Sequence, residues 1–321
     1  MADLGENIQR FYVFIEERER IRRRRLAGMP REEWTSDPIF QTYSFTNVKR
    51  HHDRTTIGLM SLYQRAWPYG YLMGLKRGEP PSLPVPEKLK SALDQVLLNA
   101  TLYRFFGTVG MAEAIGWLEN WDETQRERIC KLAEDRDLLG REVFTSAYIV
   151  PAGGVSAPKR EIVCDVARLL WHSLGDLEHS PIKTDSWEVM AYRLQKIWGF
   201  GPFMAKEVML DYYQVTQLYP KDWQTWTPVG PGAIRGATRI WYGYLHEPRL
   251  NQDEALSVCQ TIHGWREKYW PPGFDDVKLD LTDIQFQLCE FDKYMRVVDG
   301  YGKKPKRKFR PTIDEVTCGN R

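Results

Sequence analysis

The chain has 321 residues, with 45 Lys and Arg against 43 Asp and Glu for a formal charge of +2, so any nucleic-acid footprint must come from local clustering rather than the overall field. Its length allows a large core, in one extended helical domain or two closely packed ones. Five scattered cysteines without CxxC or Cys/His zinc spacing, and no apolar run of signal-peptide or membrane-span length, exclude a zinc module and point to reduced thiols in a soluble intracellular protein.

In chain order, the first predicted element is a charged helix from about Ile8 to Ala27, in which Phe11, Phe14, Ile15, Ile21 and Leu26 alternate with Arg18, Arg20 and Arg22 to Arg25. Its arginines exceed what Glu16, Glu17 and Glu19 can pair, so the run reads either as a solvated face or as a phosphate contact. Gly28 and Pro30 end it. The turn-rich stretch that follows concentrates Trp34, Tyr43 and Phe45 with Asp37, Thr46, Asn47, Arg50, His51, His52, Asp53 and Arg54, groups that can stack on a base, bind an anion and move a proton.

A helix is expected from Thr55 to Trp67, and the proline-rich stretch at 78–88 then interrupts the pattern as a linker. Helical spacing resumes over Leu89 to Leu98, in the segment 102–121 and from Trp121 to Leu139. Val143 to Ala147 reads as a short extended piece. GGVSAPKR, at 153–160, is glycine-rich but lacks the GxxxxGK[ST] spacing and reads as a plain loop. Helices from Arg160 to Ser173 and from Trp187 lead into LQKIWGFGPFMAKEVMLD, Leu194 to Asp211. Here Gly199 and Gly201 permit a tight turn between two short helices, and Pro202 suits the first helical turn. The stretch reads as a backbone clamp of helix-hairpin-helix type, with Gly199, Gly201 and Lys206 towards a phosphate, or as an ordinary helical corner.

Downstream, Gly230, Pro231 and Gly232 form a second turn that opens a helix carrying Arg235 and Arg239, so Gly230 and Gly232 join the backbone-binding candidates. In helix-hairpin-helix glycosylases an acidic residue follows the hairpin at about this distance. No aspartate lies between Thr227 and Arg239, although Asp222 is just upstream. The last element, 281–297, clusters Glu290, Asp292, Lys293 and Arg296 with Phe291 and Tyr294, as a solvated face or as part of a site. The basic segment KKPKRKFR, within a flexible tail at 301–321, suits a polyanion.

FYVFIEERERIRRRR, DPIFQTYSFTNVKRHHDR, LYRFFGTVG, IWGFGPFMAKEVMLD, VGPGAIRG and LCEFDKYMR, in that order from near residue 11 to near residue 296, together resemble the alpha-glutamyl/putrescinyl thymine pyrophosphorylase family of bacteriophages. The resemblance implies a mainly α fold related to helix-hairpin-helix DNA glycosylases over residues 1–300, in one body or in two lobes joined near 78–88. It implies a role in thymine hypermodification, in the cytoplasm of an infected bacterial host. Relatives include the helical part of 5-hydroxymethyluracil DNA kinases and amino acid:DNA transferases. No Walker-type sequence occurs in these 321 residues, which favours the transferase branch: an amino acid or putrescine displaces pyrophosphate from 5-pyrophosphoryloxymethyluracil in double-stranded DNA.

That chemistry assigns Trp34, Tyr43, Phe45 and Asn47 to the base, flipped into a pocket or met in the major groove. Arg50, Arg54, Lys293 and Arg235 are assigned to the leaving pyrophosphate. Asp53 with Glu290 or Asp292 is assigned to deprotonating the amine. No cofactor is required by the pattern. A divalent metal such as Mg2+ would suit a pyrophosphate, but Asp53, Glu290 and Asp292 have no metal-ligand spacing. Two other classes stay open: a glycosylase-like hydrolase, and a non-catalytic DNA-binding subunit of a modification complex.

Overall fold

The computed structural model describes residues 3–66, 87–145, 156–175, 184–245, 247–270, 272–274 and 276–300. Residues 78–86 of the expected 78–88 linker, the start of the 153–160 loop and the basic tail at 301–321 lie outside the described residues, and residues 87–88 open a helix. Among those described, the chain is helical without a strand. Its helices are α1 (Leu4–Leu26), α2 (Pro38–Thr42), α3 (Arg54–Ala66), α4 (Glu87–Phe106), α5 (Val109–Ile115), α6 (Glu123–Leu138), α7 (Lys159–Leu174), α8 (Trp187–Gln195), α9 (Pro202–Thr216), α10 (Pro231–Tyr242), α11 (Gln252–Gly264), α12 (Arg266–Tyr269) and α13 (Leu281–Val298). Residues 143–145 are irregular where an extended piece was expected, with the Thr145 amide donating to the Phe106 carbonyl. The helical pattern expected over Leu89 to Leu98 continues through Phe106 as α4, because no residue between Leu98 and Leu102 breaks it, and the rest of the 102–121 pattern holds α5 and irregular turns. No described helix is long and apolar enough to cross a membrane.

Contacts divide the chain into two compact units, and it passes between them at Asp53/Arg54 and Trp223/Gln224. The first holds α1, α2 and α10 to α13. Asp3 caps α1 by accepting from the Gly5 amide, and Ile8, Phe11, Tyr12 and Ile15 bury one face of that helix at helical spacing. They share a core with Ala233, Ala237 and Ile240 of α10, Cys259 and Ile262 of α11, and Ile284, Leu288 and Phe291 of α13. The second unit centres on α4, which packs against α3, α5, α7 and α9. Its core encloses an ion pair: Arg104 Nη2 donates to Asp211 Oδ1 at 2.6 Å, the Thr56 hydroxyl donates to the same oxygen at 2.9 Å, and Arg104 Nη1 lies 3.4 Å from Glu207.

In this second unit a glycine-containing turn joins α8 to α9. Gly199 has φ +90°, and a Cβ there would lie 2.3 Å from Val166 Cγ2, so packing onto α7 as well as the turn demands glycine. Gly201 is the N-cap of α9 and Pro202 its first residue. Asp222 caps α8: its Oδ1 accepts from the Trp187 amide at 2.7 Å, and its Oδ2 accepts from the Ser186 hydroxyl at 2.7 Å and the Glu188 amide at 3.1 Å.

In the first unit α10 and α13 approach through glycines one turn apart. A Cβ at Gly232 would meet Cys289 Sγ at 2.4 Å, and one at Gly236 would meet the Leu288 carbonyl oxygen at 2.1 Å. A mid-helix Gly→Ala change ordinarily stabilises by up to ~1 kcal/mol. At Gly236 the sign reverses: Gly236→Ala is expected to destabilise by about 3 kcal/mol, because the obstacle is main chain. A fall in the urea midpoint is the expected result; an unchanged or raised midpoint would refute this helix contact.

Candidate functional site

The irregular segment from Tyr43 to Arg50 is laid along α13, which binds it through the main chain. Lys293 Nζ donates to the Ser44 carbonyl. Glu290 Oε2 accepts from the Thr46 amide at 3.2 Å, Gln287 Nε2 donates to the Val48 carbonyl at 2.9 Å, and Asp283 Oδ1 accepts from the Arg50 amide at 3.4 Å. Positions 283, 287, 290 and 293 form one stripe of an α-helix, and 44, 46, 48 and 50 recur with the period of an extended chain. The stripe therefore supplies the partners that a neighbouring strand would otherwise provide. Arg18 of α1 completes the anchor, donating to the Thr46 carbonyl and to Gln287 Oε1.

With its main chain so held, the segment lends Tyr43, Phe45, Thr46 and Asn47 to a pocket shared with α1 and the loop leading to α2. Trp34 and Phe40 add aromatic surface, and Thr35 and Gln41 add polar groups. Trp34 is oriented by its indole N–H, which donates to the Met29 carbonyl at 2.7 Å. Phe45 packs edge-on against Phe14 and Phe40, with ring centroids 6.2 and 5.2 Å away. All four residues expected to meet the base, Trp34, Tyr43, Phe45 and Asn47, thus line one pocket. The described lining also carries Arg18, Arg22, Arg25 and Arg31 and no carboxylate.

The residues nominated for chemistry are absent from the described lining of this pocket and are largely one another's partners. Arg50 Nη1 donates to Asp53, and its guanidinium stacks 4.2 Å from the Phe286 ring centroid. Asp53 Oδ1 also lies 3.3 Å from the Asn47 amide and 3.2 Å from Asn47 Nδ2. Lys293 Nζ is 3.2 Å from Glu290 Oε2 and 4.5 Å from the Phe45 ring centroid. Arg235 Nε is 2.8 Å from Asp292 Oδ2. Burial draws the Arg18 guanidinium down to about 10, against the opposing pull of Glu290 and Asp53. Burial, with the charges of His51 and Arg22, lowers His52 to about 4, leaving it a neutral neighbour whose carbonyl accepts from Asn47 Nδ2 at 2.8 Å.

Other nominated residues are placed elsewhere. Arg54 opens α3 in the second unit, and its side chain lies outside the described ones. Gly199 and Gly201 belong to that unit's hairpin. Lys206 there is buried, 3.5 Å from Glu207 and 5.4 Å from the Phe203 ring centroid, so its ammonium faces the protein interior rather than an outward phosphate. Gly230 is the N-cap of α10 with open space beside it, whereas Gly232 lies inside that helix against Cys289 and serves helix packing. Among the described residues no three His, Cys, Asp or Glu side chains gather as metal ligands, so Asp53, Glu290 and Asp292 do not converge on a cation site. Arg18, Arg31, Gln41 and Gln287 were not nominated; Arg18 was visible only as one member of an arginine run, and nothing local marked the others.

Asp292 lies between α10 and α13. Its side chain is 0% exposed, with Arg235 Nε at 2.8 Å, Arg239 Nε at 3.1 Å and Arg296 Nε at 3.4 Å. Protonating it would strand the buried Arg239 guanidinium, so its charge ties α10 to α13. Asp292→Asn should lower stability by roughly 3–5 kcal/mol in urea unfolding. Full stability together with abolished activity would return Asp292 to the chemistry.

The family described as the helical domain of 5-hmdU DNA kinase matches residues 6–64 and 84–303. A 5-hmdU DNA kinase of Bacillus phage SP10 is 27% identical over an alignment covering 97% of this chain and 49% of that protein. The chain thus spans about half the length of this curated relative. No solved structure matches. On the extent of the family match, the chain belongs to the 5-hmdU DNA kinase helical-domain family.

Proposed function

We propose that this protein is a DNA-base transferase of thymine hypermodification, which replaces the pyrophosphate of 5-pyrophosphoryloxymethyluracil in duplex DNA with an amine, either an amino acid or putrescine. The observation that carries the reading is the pocket of the first unit, which combines aromatic faces, an amide side chain and guanidinium groups. Membership of the helical-domain family supports a phage DNA-modification role in the host cytoplasm, and the ordered motifs of the sequence point to the pyrophosphorylase branch. The hairpin between α8 and α9, with Gly201 and Pro202 opening α9, supports a helix-hairpin-helix reading of that corner, in which its glycines approach the DNA backbone.

In this mechanism the base is flipped out of the duplex and stacks on Tyr43, Phe45 or Trp34, with Asn47 reading its polar edge. The amine gives a proton to a carboxylate, its nitrogen lone pair forms the bond to the 5-methylene carbon, and the C–O bond breaks with its electron pair leaving on pyrophosphate. Glu290 is the preferred proton acceptor, because it joins the Thr46 amide at the pocket wall to Lys293. Asp53, held behind Asn47, is the second choice. Asp222 is engaged in capping α8, which weighs against the glycosylase alternative. The mutual pairing of nominated cations and carboxylates favours the non-catalytic DNA-binding reading as runner-up.

Incubation of DNA carrying 5-pyrophosphoryloxymethyluracil with the protein and a pool of amines, followed by digestion and mass spectrometry of nucleosides, is expected to reveal an amine-bearing thymidine. Glu290→Gln, which can still accept from the Thr46 amide, should slow its formation by about 10²–10⁴-fold. Retained DNA binding with the diphosphate intact in every arm would favour the binding-subunit reading instead.

A further inference from the structure

Asn47 lines the pocket and is half-buried, and the orientation of its carboxamide is forced by its surroundings. Its Nδ2 donates to the His52 carbonyl at 2.8 Å and lies 3.2 Å from Asp53 Oδ1, which gives two acceptors for the two hydrogens of the amino group. A main-chain carbonyl accepts and never donates, so flipping the carboxamide would set its oxygen against the His52 oxygen. Asp53 is itself paired with Arg50, whose guanidinium stacks on Phe286, so the group that holds the amino nitrogen is anchored in turn. What remains of the Asn47 side chain is Oδ1, which has no hydrogen-bond partner among the described residues. The pocket therefore meets Asn47 as an acceptor, and its complement is a donor.

We infer that Asn47 Oδ1 accepts the N3–H of the flipped base, so that the pocket selects a uracil-type imide. The polarity of the contact rests on the hydrogen bonds of Asn47; that the ligand is a base rests on the transferase reading above. A uracil joined to its sugar through N1 carries one N–H, at N3, and its other polar ring groups accept, so an acceptor in the wall has a single place to engage it. Cytosine in the same pose turns an unprotonated ring nitrogen towards Oδ1 and leaves two acceptors facing each other without a proton between them. Tyr43, Phe45 and Trp34 line the same pocket, and stacking on such faces tolerates any base. Asn47 adds the discrimination that stacking lacks. The contact also engages N3 while leaving the 5-methylene carbon, on the far side of C4, open to the amine.

The test is equilibrium binding of the full chain to duplexes that differ only in the base placed opposite an abasic site, where flipping is least opposed: thymine, N3-methylthymine or cytosine. Thymine is expected to bind at least about tenfold tighter than either of the others. Because the N3-methyl group also adds bulk, Asn47→Ala separates the two causes: it should weaken thymine about tenfold and leave N3-methylthymine with no further loss. A urea midpoint checks the folding of that variant, and the comparison of bases on the wild type is independent of it. Equal affinity for all the bases, or Asn47→Ala that binds thymine like the wild type, would overturn the inference. So would N3-methylation without effect alongside an Asn47→Ala change that raises only the KM for the amine, since the donor would then be the co-substrate. Asn47-dependent selectivity for thymine without amine transfer would keep the contact and remove the transferase reading. Amine transfer at an unchanged rate on N3-methylated 5-pyrophosphoryloxymethyluracil would do the reverse.

Discussion

The first unit depends on satisfying an extended segment that, among the described residues, has no strand beside it. Backbone amides and carbonyls buried without partners are strongly unfavourable, and Tyr43 to Arg50 runs through a partly buried region. A side-chain ladder on α13 solves the problem, with Asp283, Gln287, Glu290 and Lys293 each meeting a main-chain group at every second residue. This explains why a helix beside the core buries so many polar residues: Asp283 is 3% exposed and Gln287 0%. The close approach of α10 through Gly232 and Gly236, and the pairing of Asp292 with Arg235 and Arg239, in turn hold α13 in place.

Much of the architecture was legible from local patterns. Helical periodicity, the glycine-containing turn before α9 and the opening of α10 by Gly230 and Pro231 follow from spacing and backbone preference alone. The gathering of Trp34, Tyr43, Phe45 and Asn47 was legible too, because those residues lie close together in sequence and only had to turn towards one side. Long-range pairing was not. Asp53 and Arg50, like Glu290 and Lys293, carry complementary charges three residues apart, and their spacing fits either mutual pairing or a shared ligand; burial decides which. Asp292 looked like one acid on a solvated face because its partners Arg235 and Arg239 lie more than fifty residues away.

The arginine run of α1 shows the same limit from the other side. Composition distinguishes neither a solvated face nor a phosphate contact, and individual members take both kinds of position. Arg20 reaches Glu16 and Glu17 on the helix surface, Arg23 reaches Asp276 at 2.6 Å, and Arg18 turns inward to the Thr46 carbonyl. What separates them is the helical angle at which each leaves α1. The aromatic residues of the same helix define the inner face, and Arg18, one turn beyond Phe14, follows them inward with its guanidinium 5.0 Å from the Phe14 ring centroid.

The ladder on α13 also separates two kinds of evolutionary freedom. A segment held through its peptide groups makes few demands on the identity of its side chains, so positions 43 and 47 can change without disturbing the hydrogen bonds to Glu290, Gln287 and Lys293. The helix has no such latitude, since each of its four contacts needs a particular donor or acceptor at a particular reach. Divergence in what the pocket accepts can therefore accumulate in the loop while the polar stripe of α13 stays constant. In this arrangement the helix preserves the shape of the wall and the loop carries its vocabulary.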